Sequence, residues 1–362
     1  MGVPRFHVCF RNYVATHRSI PQSPLRSTRY TGEEGVQEEM SGTSTGRFAD
    51  ADEYKSSLSD IFAEFIVTGR GAFEARAQRT DLHHLHLLQA QEKLSRAAYV
   101  TLPPDRVVIS FTADPKAPLI WRGVELESDE IMLHACGEHL HQRTNGPSRW
   151  GLIALPAAAL AAFCQTETGR CLPLPKIGQA IRPPPSQRKW LLRVHQQAAR
   201  LAETRPAVVA HPEVVRAMEL ELVGVLVRCL TEGTVRALPG PALLATNDME
   251  RLESALASST WTDLTAAELS ATVRVSAQTL HKHCLAFLGT SLRRYLQLRR
   301  LARVRAAIRC ADTRTARIGE LARSFGFAEP GRFAILYKAV YGETPIATLR
   351  GLRKSSPASE IT

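Results

Sequence analysis

The sequence predicts an α+β chain: a β-rich N-terminal half, an antiparallel sandwich or barrel followed by helices, and then an all-α C-terminal half. Three observations carry this. Short apolar runs broken by Gly, Pro, Asp and Asn fill residues 58–165, runs at helical spacing replace them beyond about residue 186, and charge is unevenly spread. The 362 residues carry a formal +11, yet over residues 260–362 seventeen Lys and Arg face seven Asp and Glu, so that segment holds almost the whole excess. A basic surplus gathered on a helical tail points to a polyphosphate partner rather than to general solubility.

Strand-like runs are expected at 72–77, 82–89, 97–102, 107–112, 119–126, 131–134 and 150–155, at the spacing of a sandwich or barrel. His83, His84, His86, His134, His139 and His141 fall among them, and the pairs His84/His86 and His139/His141 are placed on single strand faces. No carboxylate follows at a metal-ligand spacing, so these imidazoles are read as hydrogen-bonded wall residues, with no metal or other cofactor expected. A lumen of this kind suits a small-molecule effector, although no residue names its chemistry.

A proline-rich crossing at 173–185 leads to two helices, 187–203 and 212–230. Trp190, Leu191, Val194, Ala198 and Leu201 line one; Val215, Met218, Leu222, Val225, Leu226 and Leu230 line the other. The pair either packs on its own β domain or forms a dimer interface, and a homodimer is expected. Residues 231–246, with Gly233, Pro239, Gly240 and Pro241, read as a linker, and 248–258 as a first C-terminal helix with Met249, Leu252 and Leu256 inward.

The seven cysteines are odd in number and lack a Cys-x-x-Cys, so they read as reduced thiols. Neither an apolar run of about 18 residues nor a charged-then-apolar leader is found, and a cytoplasmic chain without membrane contact is expected. Residues 1–45 read as a disordered head and 354–362 as a tail. Met40 offers a second possible translation start; an intact mass matching all 362 residues would exclude it.

The C-terminal half, 247–353, reads as two helix-turn-helix units at about 265–287 and 316–340. In the first, Ala266, Leu269, Val273 and Val275 run along a helix and across a tight turn, and Ser276 offers its hydroxyl to the free N–H groups of the next helix. Leu280, Cys284 and Phe287 then face inward, leaving Gln278, His281 and Lys282 outward, where a DNA major groove would receive them. A plain helical hairpin with a solvated polar face is the alternative for this unit alone.

The second unit repeats the plan. Ile318, Leu321, Ala322 and Phe325 form an apolar stripe, Gly326 supplies a left-handed residue, and Phe327 plugs the turn. Glu329 and Pro330 open a helix with Phe333, Leu336, Tyr337 and Val340 inward and Arg332 outward. Between the units, 291–309 lacks Gly and Pro; at ~1.5 Å per residue it spans roughly 30 Å, near the ~34 Å of one DNA turn. Its Arg293, Arg294, Arg299, Arg303 and Arg305 are phosphate candidates.

These residues resemble the DNA-binding domain of the AraC/XylS family of bacterial transcription regulators. The resemblance covers about 245–353 and rests most on Ile318-x-Glu320-Leu-Ala, Gly326-Phe327, Arg332-Phe333, Tyr337-Lys338, Gly342 and Pro345. It implies two recognition helices per chain and, for the β-rich half, a cupin-like sensor domain. Cys284 stands where an aromatic is usual, Leu292 where proline is usual, and Ile335 where a basic group is common. The resemblance implies that Gln278, His281 and Lys282 in the first helix and Pro330, Gly331 and Arg332 in the second occupy the DNA-facing positions; base reading is expected of Gln278, His281, Lys282 and Arg332, and phosphate contact of Ser276, Arg293, Arg294 and Arg299. The second helix is expected to anchor through Arg332 while the first chooses sequence.

The expected partners are double-stranded promoter DNA, a small-molecule effector, a second copy of the chain and RNA polymerase. Two other classes stay open: a structural nucleic-acid-binding protein without sequence preference, and a cupin-type enzyme fused to a DNA-binding tail. The enzyme would need three or four metal ligands or a nucleophile motif, and neither pattern is found.

Overall fold

Alternating burial along the strands builds the N-terminal half. The computed structural model describes residues 42–355 apart from 59–60, 170–171, 237–238, 259–264 and 313–314, so the expected head up to residue 41 and the tail from 356 lie outside the described residues. Thirteen strands are described: β1 (Gly42–Phe48), β2 (Phe62–Val67), β3 (Ala75–Asp81), β4 (His86–Glu92), β5 (Arg96–Thr101), β6 (Arg106–Thr112), β7 (Ile120–Trp121), β8 (Val124–Glu125), β9 (Ile131–Leu133), β10 (His139–Thr144), β11 (Ser148–Pro156), β12 (Gln179–Arg182) and β13 (Thr234–Arg236). All pairings are antiparallel. One sheet runs β1-β3-β4-β11-β6-β9-β12-β13 and the other β2-β5-β10-β7-β8.

Because successive side chains point to opposite faces, each strand of the large sheet serves two cores. Ala77, Leu88, Val108, Trp150 and Leu152 point between the sheets. Leu87, Val107, Ile109, Phe111 and Ile153 point away, against helices α2 (Ala157–Thr168), α3 (Pro185–Thr204) and α5 (Pro212–Thr231). A short helix α4 (Pro206–Val209) joins α3 to α5, and α1 (Ala51–Ser57) lies after β1. The helix pair thus packs on its own β domain through Leu191, Val194, Leu222 and Leu226.

A buried carboxylate ties the sandwich together at one end. Glu92, 1% exposed, accepts from Tyr54 Oη at 2.8 Å, Arg96 Nε at 3.0 Å, Trp150 Nε1 at 3.1 Å and Ser148 Oγ at 3.3 Å. Desolvating a charge is costly, and these donors from α1, β5 and β11 offset that cost only together.

Several sequence expectations shift. The predicted head to residue 45 overlaps β1, which starts at Gly42 and pairs with β3 along its length; the polar composition of β1 hid an edge strand. The runs at 72–77 and 82–89 are displaced because Leu82 and Leu85 are turn residues, buried as the turn folds onto α5, where Glu219 accepts from the backbone N–H of Leu85 at 3.2 Å and from that of His84. His84 therefore precedes β4 and does not share a strand face with His86. The expected linker at 231–246 contains β13 and the start of helix α6 (Gly240–Ser258), whose glycine and prolines open a helix rather than interrupt one.

Glu92→Ala is expected to lower the unfolding free energy of the sandwich by about 3–5 kcal/mol, since it leaves Arg96 buried without its carboxylate. Urea unfolding followed through tryptophan fluorescence checks this.

Candidate nucleic-acid interface

Capping fixes the first unit. Thr265 and Glu268 form a reciprocal box at the start of α7 (Ala266–Val273), with Glu268 accepting from the Thr265 N–H at 2.8 Å and the Thr265 hydroxyl accepting from the Glu268 N–H at 3.2 Å. A three-residue turn follows, in which Arg274 takes φ +62°. Ser276 then caps α8 (Ala277–Leu288), its Oγ accepting from the Thr279 N–H at 3.0 Å. Leu280, Cys284, Phe287 and Leu288 are buried on α8, and Gln278, His281 and Lys282 are exposed together on its other face.

Helix α9 (Leu292–Arg309) is 18 residues long, roughly 27 Å, and leads to the second unit. There α10 (Ile318–Ser324) and α11 (Pro330–Tyr341) flank a five-residue turn in which Gly326 has φ +83°, a conformation a side chain would strain. Phe327 lies with its ring 5.1 Å from that of Phe333, filling the turn as expected. The Tyr337 hydroxyl meets Thr348 Oγ1 of α12 (Pro345–Ser355) at 2.8 Å, locking α11 from behind. On the outer face Arg332 is 82% exposed, 3.5 Å from Glu329, and Ile335 is 73% exposed.

The assigned phosphate contacts divide. Arg293 is exposed, and Arg294 is half-buried with Nη1 donating to Gln297 at 2.7 Å. The hydroxyl of Ser276 is committed to its cap. Arg299 is a correction: it is 4% exposed, and its guanidinium donates to Glu253 Oε2 at 2.6 Å and to Glu64 Oε1 at 3.1 Å, so no phosphate can reach it in this arrangement. Arg305 is likewise buried, paired with Asp50 and with Glu343 at 3.1 Å.

These pairs mark a seam that sequence reasoning missed. Ile66 of β2 and Ala97 of β5 join the core of the C-terminal helices, so the outer face of the small sheet is covered by them. Glu253 of α6 sits at the centre, accepting from Tyr295 Oη at 3.0 Å and lying 3.1 Å from His141 Nε2. Burial alone would raise its carboxyl, but Arg299 and His141 pull it down to about 2. Phe287 packs edge-on to the His141 ring at 5.8 Å and so close to Gly123 that a Cβ there would stand 2.8 Å from the ring. Arg143 Nε donates to the Ala286 carbonyl at 2.7 Å, and Arg309 Nη1 to Asp50 at 2.9 Å. One signal was legible: Glu253 lies on the apolar stripe of Met249, Leu252 and Leu256, where an unpaired carboxylate would be costly.

The histidines separate. His86 meets Asp81 at 2.5 Å, His134 meets Ser110 at 2.8 Å, His139 meets Thr101 at 3.0 Å, and His141 faces the seam rather than a lumen. Among the described residues, no cluster of three or more His, Cys, Asp or Glu is placed to hold a metal. A small pocket, partly open to solvent and with about 40 Å³ of enclosed space, is lined by Leu58, Ile61, Arg79, His86, Arg106 and Leu152 among others.

Residues 269–351 match a family model described as a helix-turn-helix domain. The C-terminal segment is a helix-turn-helix domain of the AraC/XylS type. The chain is 31% identical over 170 residues to the "Probable thc operon regulatory protein" of Rhodococcus erythropolis, covering 45% of this chain and 49% of that protein. It is 36% identical over 66 residues to the XylDLEGF operon transcriptional activator of Pseudomonas putida, covering 18% and 21%. The matched part thus spans about half of the first relative and about a fifth of the second. Among solved structures, the AraC-like transcriptional activator CuxR aligns at 13% identity and TM-score 0.39, covering 78% of this chain and 100% of that one. ToxT from Vibrio cholerae O395 aligns at 13% identity and TM-score 0.27, covering 81% and 98%. Met249, Leu252 and Leu256 of α6, N-terminal of the matched residues, are buried in the same core as α7–α11.

The depressed pKa of Glu253 makes the seam acid-sensitive. Its folded value near 2 lies below the ordinary 4.5, so its stabilisation is present in full above that ordinary value and is lost as pH falls from about 4.5 towards about 2. Hydrogen exchange of α6 and α9 is expected to rise over that window, and to rise less in Glu253→Gln, which lacks the titrating group.

Proposed function

We propose that this chain is a sequence-specific transcription regulator of the AraC/XylS type. The observation that carries the reading is the common exposed face of Gln278, His281 and Lys282 on a helix whose opposite face is buried. Such a helix presents donors and acceptors at the scale of base edges in the major groove. The named relatives are regulatory proteins, which supports regulation over catalysis. Gln278, His281 and Lys282 read bases; Arg332 reads or anchors the second segment; Arg293 and Arg294 contact phosphate, with Ser276 presenting the N-terminus of α8.

The β-rich half acts as the sensor in this reading. The cavity beside Arg79, His86 and Arg106 holds the small-molecule effector; α1, whose C-terminal Ser57 lines that cavity, carries at its N-cap the Asp50 that binds Arg309 of α9. Ligand and DNA-binding domain therefore meet through one short helix. A homodimer forms through the outer side of α3 and α5, where Trp190 is 42% and Leu220 56% exposed. Promoter DNA places this dimer beside RNA polymerase in the cytoplasm.

Fragments selected from genomic DNA test the reading: a preferred site bound ~10³-fold or more above random duplex supports it, and equal binding to all duplexes points instead to a non-specific nucleic-acid protein. On that site His281→Ala and Lys282→Ala are each expected to cost ~1–3 kcal/mol and relax base preference. Arg293→Ala is expected to weaken every duplex alike and lower the salt slope by about 1, whereas Arg299→Ala leaves that slope unchanged. Titrations at several salt concentrations separate these outcomes.

A further inference from the structure

The two units share a scaffold but not a surface. Helices α8 and α11 each hold 12 residues, and aligning their first positions sets buried Leu280 on Phe333, Cys284 on Tyr337 and Phe287 on Val340. The same alignment sets Lys282 on Ile335 and Leu285 on Lys338, all four exposed. Cation and apolar group have thus changed places between the two helices. Ile335, at 73%, is more exposed than the other large apolar side chains of the described residues, and it lies one turn beyond Arg332 on the same face. Burial in the fold does not account for it.

We propose that Ile335 is a specificity-determining residue of the second unit and reads the C5 methyl of thymine in the major groove. This rests on the regulator reading above. Of the groups a base pair shows in that groove, the thymine methyl is the apolar one, and a branched aliphatic side chain meets it without leaving a donor or acceptor unpaired. Arg332, one turn nearer the helix start, supplies the charge that holds α11 against the duplex, and the basic excess of this segment supplies the long-range attraction. The second unit is then a reader in its own right, where the sequence had suggested an anchor.

Replacing thymidine by deoxyuridine removes this methyl and nothing else. In the site selected by the full chain, each thymine is replaced in turn and affinity measured for the wild type, Ile335→Ala and Ile335→Val. The wild type is expected to lose about fourfold at one or two thymines in the segment read by the second unit, the factor that burying one methyl-sized group contributes. Ile335→Ala loses a similar factor on the thymine site and is indifferent to deoxyuridine there; Ile335→Val keeps most of the sensitivity. Identical deoxyuridine profiles for the wild type and Ile335→Ala overturn the proposal while leaving the regulator reading intact. Loss of site selection altogether removes both. Full DNA affinity in Ile335→Ala also overturns it, and assigns the exposed side chain to a protein partner instead.

Discussion

Glu253 is one carboxylate held by side chains from two parts of the chain: His141 from the small sheet, and Tyr295 and Arg299 from the long helix, with Glu64 of β2 sharing the same guanidinium. A buried ion of this kind is tolerable only when every partner is in place, so the network acts as a register pin between the two halves. Apolar contacts such as Phe287 on Gly123 provide surface there, but they could slide; the charged hydrogen bonds fix one alignment. The placement of the exposed face of α8 relative to the sandwich depends on this pin.

The pin also divides the arginines of α9 into two populations. Arg299 and Arg305 face the seam and are neutralised by Glu253, Glu64 and Asp50, whereas Arg293 stays in solvent. The charge count of the C-terminal segment therefore overstates the cation available to a phosphate backbone. It still leaves the outer surface basic, and it makes the β-rich half a participant in the electrostatics of the helical half.

Repetition with altered surfaces distinguishes the two units. Their cores are interchangeable in kind, with Leu280, Cys284 and Phe287 answering Phe333, Tyr337 and Val340, because both helices must pack on a short partner across a turn. The turns differ in length, three residues against five, with Arg274 left-handed in one and Gly326 in the other. In the proposed reading, different outer faces on a common frame let one chain address two unlike stretches of duplex.

Much of the C-terminal half was legible because its signals are local. Helical periodicity, the caps at Thr265 and Ser276, Gly326 with Phe327, and the apolar stripes each act within a few residues, and the core follows those stripes. The outward set Gln278, His281 and Lys282 was legible for the same reason. The β half was legible in class but not in register, since edge strand β1 is polar, the turn at Leu82–Leu85 is apolar, and both are decided by what packs on them. Arg299 was assigned to phosphate because an arginine on a basic helix looks solvated; its carboxylate partners lie 46 and 235 residues away in sequence. Short-range chemistry made the C-terminal helices, the repeated unit and the sign of the charge readable from the chain alone. The tertiary structure decided which cations are free, which histidines meet which partners, and how the halves align, because those depend on charges brought together from distant parts of the chain.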